Sequence, residues 1–321
     1  MLVEGEWKTE RQQQDEEGRF IRPSSAFRNI VTADGSSGYK AESGLYHLYI
    51  SWACPWAHRT AILRKLKGLE GAISQSVVHP VMGEGGWAFS DAYPDQINGA
   101  SYLREIYTIA DPNYTGRVTT PVLWDRKEET IVNNESREIM RMLDTEFEAF
   151  AKESVDFCPE DLREEIDRTL DELYEPINNG VYRAGFAIEQ AAYEEAVTDL
   201  FEALDRWEEV LSGRRYLCGD RVTEADWAFF TTLIRFEPVY HYHFKCNLRR
   251  MVDYPNLWGY LRDLYQQPDV AETVDLDHIK RHYYVSHGSI NPTGIVPKGP
   301  ILYLDEPHGR ERLSSQRVSE P

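Results

Sequence analysis

The sequence predicts a mixed α/β domain followed by an all-α domain. Three observations carry this. A strand, a helix and a second strand run in order between residues 46 and 81. Two short strands with a polar turn between them follow at residues 120–132. From about residue 145 the apolar residues keep helical spacing alone. A chain of 321 residues has room for two such domains, and a hydrophobic fraction of 41% can give each a core.

The elements are read in chain order. Residues 1–43 are polar, with a Gly35-Ser36-Ser37-Gly38 turn, and read as an extension wrapping the first domain or partly mobile. Tyr46-His47-Leu48-Tyr49-Ile50 reads as a strand. Ser51-Trp52-Ala53 turns the chain, and Cys54-Pro55-Trp56-Ala57 opens a helix. Pro in the first helical turn is harmless, because its missing N–H would be unpaired anyway. Ala57, Ala61, Ile62, Leu66 and Leu69 then follow helical spacing, and Gly68 or Gly71 can end the helix. The β-branched run from Ile73 to Val81 reads as the second strand. A long insertion from Gly83 to Val118 follows; loops of this length are usually functional. Thr120–Trp124 and Thr130–Val132 form a hairpin candidate across Asp125–Glu129, and Asn134-Glu135-Ser136 starts a helix. Beyond it, Leu162, Ile166, Leu170 and Leu173 share a face, as do Val197, Leu200, Phe201, Leu204 and Leu211. Thr223-Glu224-Ala225-Asp226 reads as a capping box with Asp in place of Glu. Further helices are expected over 255–266 and 269–286. The domains are therefore 44–144 and 145–288, with a tail from 289 to 321 read as extended or disordered, including Ser314-Ser315-Gln316-Arg317 and Ser319-Glu320-Pro321.

Net charge is −19, from 54 acidic and 35 basic residues, which argues against nucleic acid and anionic membrane as partners. Excess acid with little Lys fits a halophilic host as well as an ordinary cytosolic one. No apolar run approaches a membrane span, and the polar start lacks a secretory signal, so a cytoplasmic protein is expected. The four cysteines, Cys54, Cys158, Cys218 and Cys246, include no C-x-x-C pair. No metal site is expected, and reduced thiols are. Cys218 and Cys246 read as core residues, Cys158 as an incidental linker residue.

Three sites carry possible chemistry. A cysteine at a helix N-terminus meets the positive end of the helix dipole and unpaired N–H groups, which favour the nucleophilic thiolate. Arg59 adds charge one turn on. With no second cysteine nearby, Cys54 would form its mixed disulfide with a small thiol and be released by another. A buried structural cysteine is the alternative. The Thr120-Pro121 bond, if cis, presents the Thr120 backbone to an extended peptide thiol; an edge-strand proline reads equally well. Glu135-Ser136 at a helix start offers N–H groups and a hydroxyl to a carboxylate and a carboxylate to an ammonium, which suits a γ-glutamyl group; plain helix capping is compatible with it.

These residues resemble a known family. Cys54-Pro55-Trp56-Ala57, Thr120-Pro121-Val122-Leu123-Trp124 and Asn134-Glu135-Ser136 are similar to the thioredoxin-like half of glutathione transferases. Leu217-Cys218-Gly219-Asp220 with Thr223–Asp226 resembles their helical half. More narrowly, residues 49–59, Arg235–Tyr240, His243–Asn247 and His287–Gly294 resemble the Xi class, the glutathionyl-hydroquinone reductases. The resemblance implies an N-terminal thioredoxin-like domain followed by a glutathione-transferase-type helical domain. It also implies reduction of a glutathionyl-hydroquinone, an aromatic conjugate, through a Cys54–glutathione mixed disulfide resolved by a second thiol. By the same resemblance Tyr182, Tyr240 and Tyr283 line the substrate pocket as proton donors. Trp87, the Thr120 backbone, Glu135 and Ser136 hold the thiol, with Arg117 a candidate for its glycine carboxylate. The family more often has Val at the Thr120 position, a change that matters little for a backbone contact. In a halophilic archaeon γ-glutamylcysteine could replace glutathione as the thiol. The family is usually homodimeric. Two competing readings remain: an Omega-like thiol transferase or dehydroascorbate reductase, and a non-catalytic binding module of the same fold.

Overall fold

The computed structural model describes residues 1–9 and 14–313. They gather into two compact units. Residues 1–9, 22–156 and 272–297 form the first; residues 14–21, 157–271 and 298–313 form the second. The terminal residues 314–321, read above as part of the tail, lie outside the described residues.

The first unit opens with four two-residue strands. β1 (Leu2–Val3) pairs antiparallel with β2 (Glu6–Trp7), and β3 (Val31–Thr32) pairs parallel with β4 (Tyr39–Lys40). The main sheet contains β5 (Tyr46–Ile50), β6 (Ser74–Val77), β7 (Val122–Asp125) and β8 (Thr130–Asn133), in the order β6-β5-β7-β8. β5 runs parallel to β6 and antiparallel to β7, and β7 and β8 form the expected hairpin. Every residue of β5 is buried, as a strand covered on both faces requires. The expected strand over 73–81 is shorter, and the chain leaves the sheet after Val77.

α1 (Pro55–Leu66) crosses from β5 to β6 and stops at Gly68, whose φ of +62° a side chain would strain. The insertion at 83–118 contains α2 (Leu103–Ala110), an element the sequence reading left as loop. α3 (Ser136–Thr145) packs against α1. The extension is also folded: residues 27–29 pair with the free edge of β8, Asn29 N–H donating to the Val132 carbonyl (3.0 Å) and Asn134 N–H to that of Phe27 (3.0 Å).

The second unit holds α4 (Arg163–Leu173), α5 (Gly180–Gly185), α6 (Gln190–Gly213), α7 (Glu224–Arg235) and α8 (Pro255–Tyr265). All 12 residues of α7 are buried, which makes it the central helix of this core. Its capping box forms as read. The Asp226 carboxylate accepts from Thr223 N–H (2.7 Å), Leu217 N–H (2.9 Å) and the Tyr260 hydroxyl (2.8 Å). α9 (Leu276–Ser286) returns to the first unit. It is shorter than the expected 269–286, because Asp275 caps it by accepting from His278 N–H (2.8 Å).

The tail departs from its reading as far as residue 313. Leu302 and Leu304 are buried, Gln266 donates to the Leu304 carbonyl (2.6 Å), and Arg262 pairs with Glu306 (2.7 Å). The Arg310 guanidinium donates to the carbonyls of Leu211 (3.1 Å), in the last turn of α6, and of Arg215 (2.8 Å), just past its end.

Candidate active site

Cys54 is the N-cap of α1. The chain leaves β5, turns as Ala53 N–H meets the Ser51 hydroxyl (3.2 Å), and enters the helix with Pro55 in its first turn. The Cys54 carbonyl already accepts from His58 N–H (2.9 Å), while its thiol donates to the Thr120 carbonyl at 3.3 Å. Of the four cysteines only Cys54 is partly exposed. Burial pushes the Cys218 thiol up to about 11 and that of Cys246 higher still, so neither is a nucleophile near neutral pH. Cys158, read as incidental to a linker, is buried at the edge of the second core. The Trp56 ring, two residues from Cys54, lies 4.7 Å from the Arg59 guanidinium and 4.9 Å from that of Arg22.

The Thr120–Pro121 peptide bond is cis. Thr120 and Ser136 are both buried, and their hydroxyls have no hydrogen-bond partner among the described residues. A buried hydroxyl left unpaired at a helix start is costly in the folded protein and available to a ligand carboxylate. Beside it, the Glu135 carboxylate accepts from Arg137 N–H (3.3 Å) and from the Ser25 hydroxyl (2.9 Å). Tyr107 of α2 braces both halves of this corner. Its hydroxyl donates to the Thr119 carbonyl (2.9 Å) and accepts from Asn134 Nδ2 (3.1 Å), the residues immediately before Thr120 and Glu135.

Trp87 is buried and stacked on the His282 ring, with centroids 4.6 Å apart. His282 also meets the Pro80 carbonyl through Nδ1 (3.0 Å), and Met82 N–H donates to Ser286 (2.9 Å), so α9 fixes the start of the insertion. Tyr283 is buried on the same helix, its ring centre 5.2 Å from that of His282. Arg117 is half-buried just before Thr119-Thr120, its carbonyl accepting from the Tyr114 hydroxyl (3.0 Å).

Tyr182 and Tyr240 belong to the second unit and meet there, ring centres 6.0 Å apart. Phe186, Phe244 and Phe20 complete an aromatic cluster around them. Two wide turns shape it. Tyr174–Asn178 and Phe236–Tyr240 are π-helical, closed by N–H groups of Asn179 and His241 reaching back five residues (2.8 Å each). Each contains a Glu-Pro pair, and the missing proline N–H breaks the tighter helical ladder.

Residues 53–146 match the family described as Glutathione S-transferase, N-terminal domain, and residues 190–263 match Glutathione S-transferase, C-terminal domain. A solved Xi class GST from Natrialba magadii is 54% identical, with a TM-score of 0.93 over 98% of this chain and 97% of that one. The chain belongs to the Xi class of glutathione transferases. Two relatives of this Xi-class chain carry a more specific name. Glutathionyl-hydroquinone reductase YqjG of Escherichia coli (strain K12) is 52% identical over 97% of this chain and 98% of its own length. Glutathionyl-hydroquinone reductase PcpF of Sphingobium chlorophenolicum is 52% identical over 95% and 97%. Among the described residues of the Xi-class chain no His, Cys, Asp and Glu group could hold a metal ion, and no helix is long and apolar enough to cross a membrane.

Sequence reasoning missed Ser25, Tyr107 and His282 as parts of this Xi-class site. For Tyr107 a signal existed: Leu103, Ile106, Tyr107 and Ala110 keep helical spacing inside the insertion. Ser25 and His282 act through contacts that span 110 and 202 residues of sequence, which no local pattern reports.

Proposed function

We propose that this protein reduces glutathionyl-hydroquinones to hydroquinones. The observation that carries the reading is the partly exposed Cys54 thiol at a helix start, 3.3 Å from the Thr120 carbonyl, with three other cysteines buried. The Cys54 thiolate attacks the sulfur of the conjugate. The aryl carbon–sulfur bond breaks as a Cys54–glutathione disulfide forms, and the ring carbon takes a proton. A second thiolate then attacks the mixed disulfide, releasing glutathione disulfide and restoring Cys54. The ring carbon is reduced while the conjugate's sulfur and that of one free thiol are oxidised to the disulfide, in two half-reactions of ping-pong covalent catalysis. In this reading the thioredoxin-like domain, residues 44–144, binds the thiol. Glu135 accepts from the γ-glutamyl ammonium, Ser136 Oγ and the helix start take its carboxylate, Thr120 pairs through its backbone, and Trp87 and Arg117 complete the thiol contacts. Tyr182, Tyr240 and Tyr283 are the candidate donors to the ring carbon, and the helical domain is taken as residues 145–288. The names of the curated relatives support this over an Omega-like thiol transferase. The protein is further taken as a cytoplasmic homodimer, to be tested by light scattering and cell fractionation.

The test is turnover of a glutathionyl-hydroquinone by wild type and Cys54→Ala, with intact mass measured after one equivalent of conjugate. Wild type should gain one glutathione and the variant none, with activity reduced at least a thousandfold, roughly the cost of removing a covalent nucleophile. Full activity in Cys54→Ala overturns the mechanism. Faster turnover of a small mixed disulfide than of the hydroquinone conjugate would favour the Omega-like alternative.

A further inference from the structure

The N-terminal segment 25–33 runs along one stripe of α3. Ser25 meets Glu135, Arg28 Nε meets Glu138 (2.8 Å), Val31 N–H meets the Met142 sulfur (3.0 Å) and Ala33 N–H meets Glu146 (2.9 Å). Residues 135, 138, 142 and 146 recur every three or four positions, the spacing of one helix face. The strap is also fixed at β8 by its backbone and by Phe27 N–H donating to Asn134 Oδ1 (3.1 Å). Its first anchored side chain, Ser25, therefore sits at the N-cap of α3.

We infer that Ser25 is a positioning residue of the thiol site, holding the Glu135 carboxylate where it receives the γ-glutamyl ammonium. This rests on the proposed role of Glu135. A serine hydroxyl has one proton to give. It lies 2.9 Å from Glu135 Oε2 and 3.3 Å from the Asn134 carbonyl, so the shorter, charge-assisted bond takes it. The other carboxylate oxygen has only the longer contact to Arg137 N–H, at 3.3 Å. Without Ser25, Glu135 would cap its helix through that contact alone and swing on its own side-chain torsions. An anion that must meet a small ammonium at a fixed place loses affinity when it is free to move. The extension is then part of the thiol site as well as a cover for the sheet edge.

The test uses the full-length protein and two thiols: glutathione and its analogue lacking the glutamyl α-amino group. Ser25→Ala should raise the KM for glutathione roughly three- to tenfold, the net worth of an ordinary hydrogen bond, because Ser25 acts on the ammonium only through Glu135. The kcat should stay within about twofold, and the KM for the desamino analogue should not move, because it brings no ammonium. Ser25→Thr keeps the hydroxyl and should restore glutathione binding. Glu146→Ala releases the same strap at its far end, where Ala33 N–H is held, and should leave both KM values unchanged. Three results overturn the inference: equal losses for the two thiols, no loss for either, or a Glu146→Ala effect as large as that of Ser25→Ala. Glu135→Gln separates it from the reading beneath it. If Glu135→Gln discriminates between the thiols and Ser25→Ala does not, only the role of Ser25 falls. If neither variant does, both fall.

Discussion

At the residue scale, the two ends of a γ-glutamyl thiol make different demands. The glutamyl end is served by Glu135 and Ser136, whose placement at a helix start was readable locally, since capping and anion binding use the same residue types. The other end falls to Arg117 in the proposed reading, a half-buried side chain on the loop before Thr120. Glutathione carries its second carboxylate on glycine, whereas γ-glutamylcysteine carries it one residue nearer the sulfur, a displacement of about 3.5 Å. A guanidinium set for one position serves the other poorly. Arg117→Ala should therefore raise the KM for glutathione by about tenfold or more, the value of a charge-assisted bond, and that for γ-glutamylcysteine much less. Steady-state measurements with both thiols decide it; equal losses would remove Arg117 from the carboxylate site. The partners of these residues were less legible. Ser25 and Tyr107 touch the site through side-chain tips whose positions are set by distant backbone, and their own neighbours in sequence say nothing of it.

At the element scale, the sequence announced those segments whose apolar period is unbroken, such as α6 and α7, and those with a marked start, such as α1. It hid α2, where Tyr102 stands at the N-cap with no capping hydrogen bond from its side chain. It also hid the ordering of the tail, which depends on contacts of Leu304, Glu306 and Arg310 with residues 38 to 99 positions away. Lys67 is a further example, a charged residue of a type that is rarely buried without partners. Its ammonium is buried and donates to the Asp144 carboxylate (3.1 Å) and carbonyl (2.8 Å), to Glu148 (2.6 Å) and to the Val155 carbonyl (2.8 Å). It thereby ties the end of α1 to the end of α3 and the residues beyond. Removing it takes a buried cation away from the Asp144 carboxylate, whose side chain is 1% exposed. Breaking such a pair from one side costs about 3–5 kcal/mol. Lys67→Met should lower the first unit's stability by that amount in denaturant unfolding, and the double variant Lys67→Met/Asp144→Leu should recover part of it. A loss below about 1 kcal/mol would mean that solvent reaches the pair.

At the scale of the whole molecule, His47 in the first unit and His243 in the second are buried histidines that the fold keeps neutral. His47 on β5 of the first unit is held down to about 4, chiefly by burial, with Asp95 offsetting part of the effect. His243 in the second unit is also held to about 4, by burial and by the nearby Lys245. An unfolded histidine titrates near 6.5, so between about pH 6.5 and 4 the unfolded chain binds protons that the folded chain refuses. Stability therefore rises with pH across that window. The contribution is complete above about 6.5 and is lost as pH falls toward 4, at about 1.4 kcal/mol per pH unit for each histidine. Self-repulsion works the other way. The chain carries a net charge of −19, which protonation relieves over the same range, so a loss of stability there cannot be charge repulsion. Denaturant unfolding followed at pH 6.5, 5.5 and 4.5 should show stability falling in both units. His47→Gln should flatten the fall in the first unit and His243→Gln that in the second, each leaving the other unchanged. Unaltered slopes in both variants would take the acid sensitivity away from His47 and His243 and give it to other titrating groups, the carboxylates and the remaining buried histidines among them.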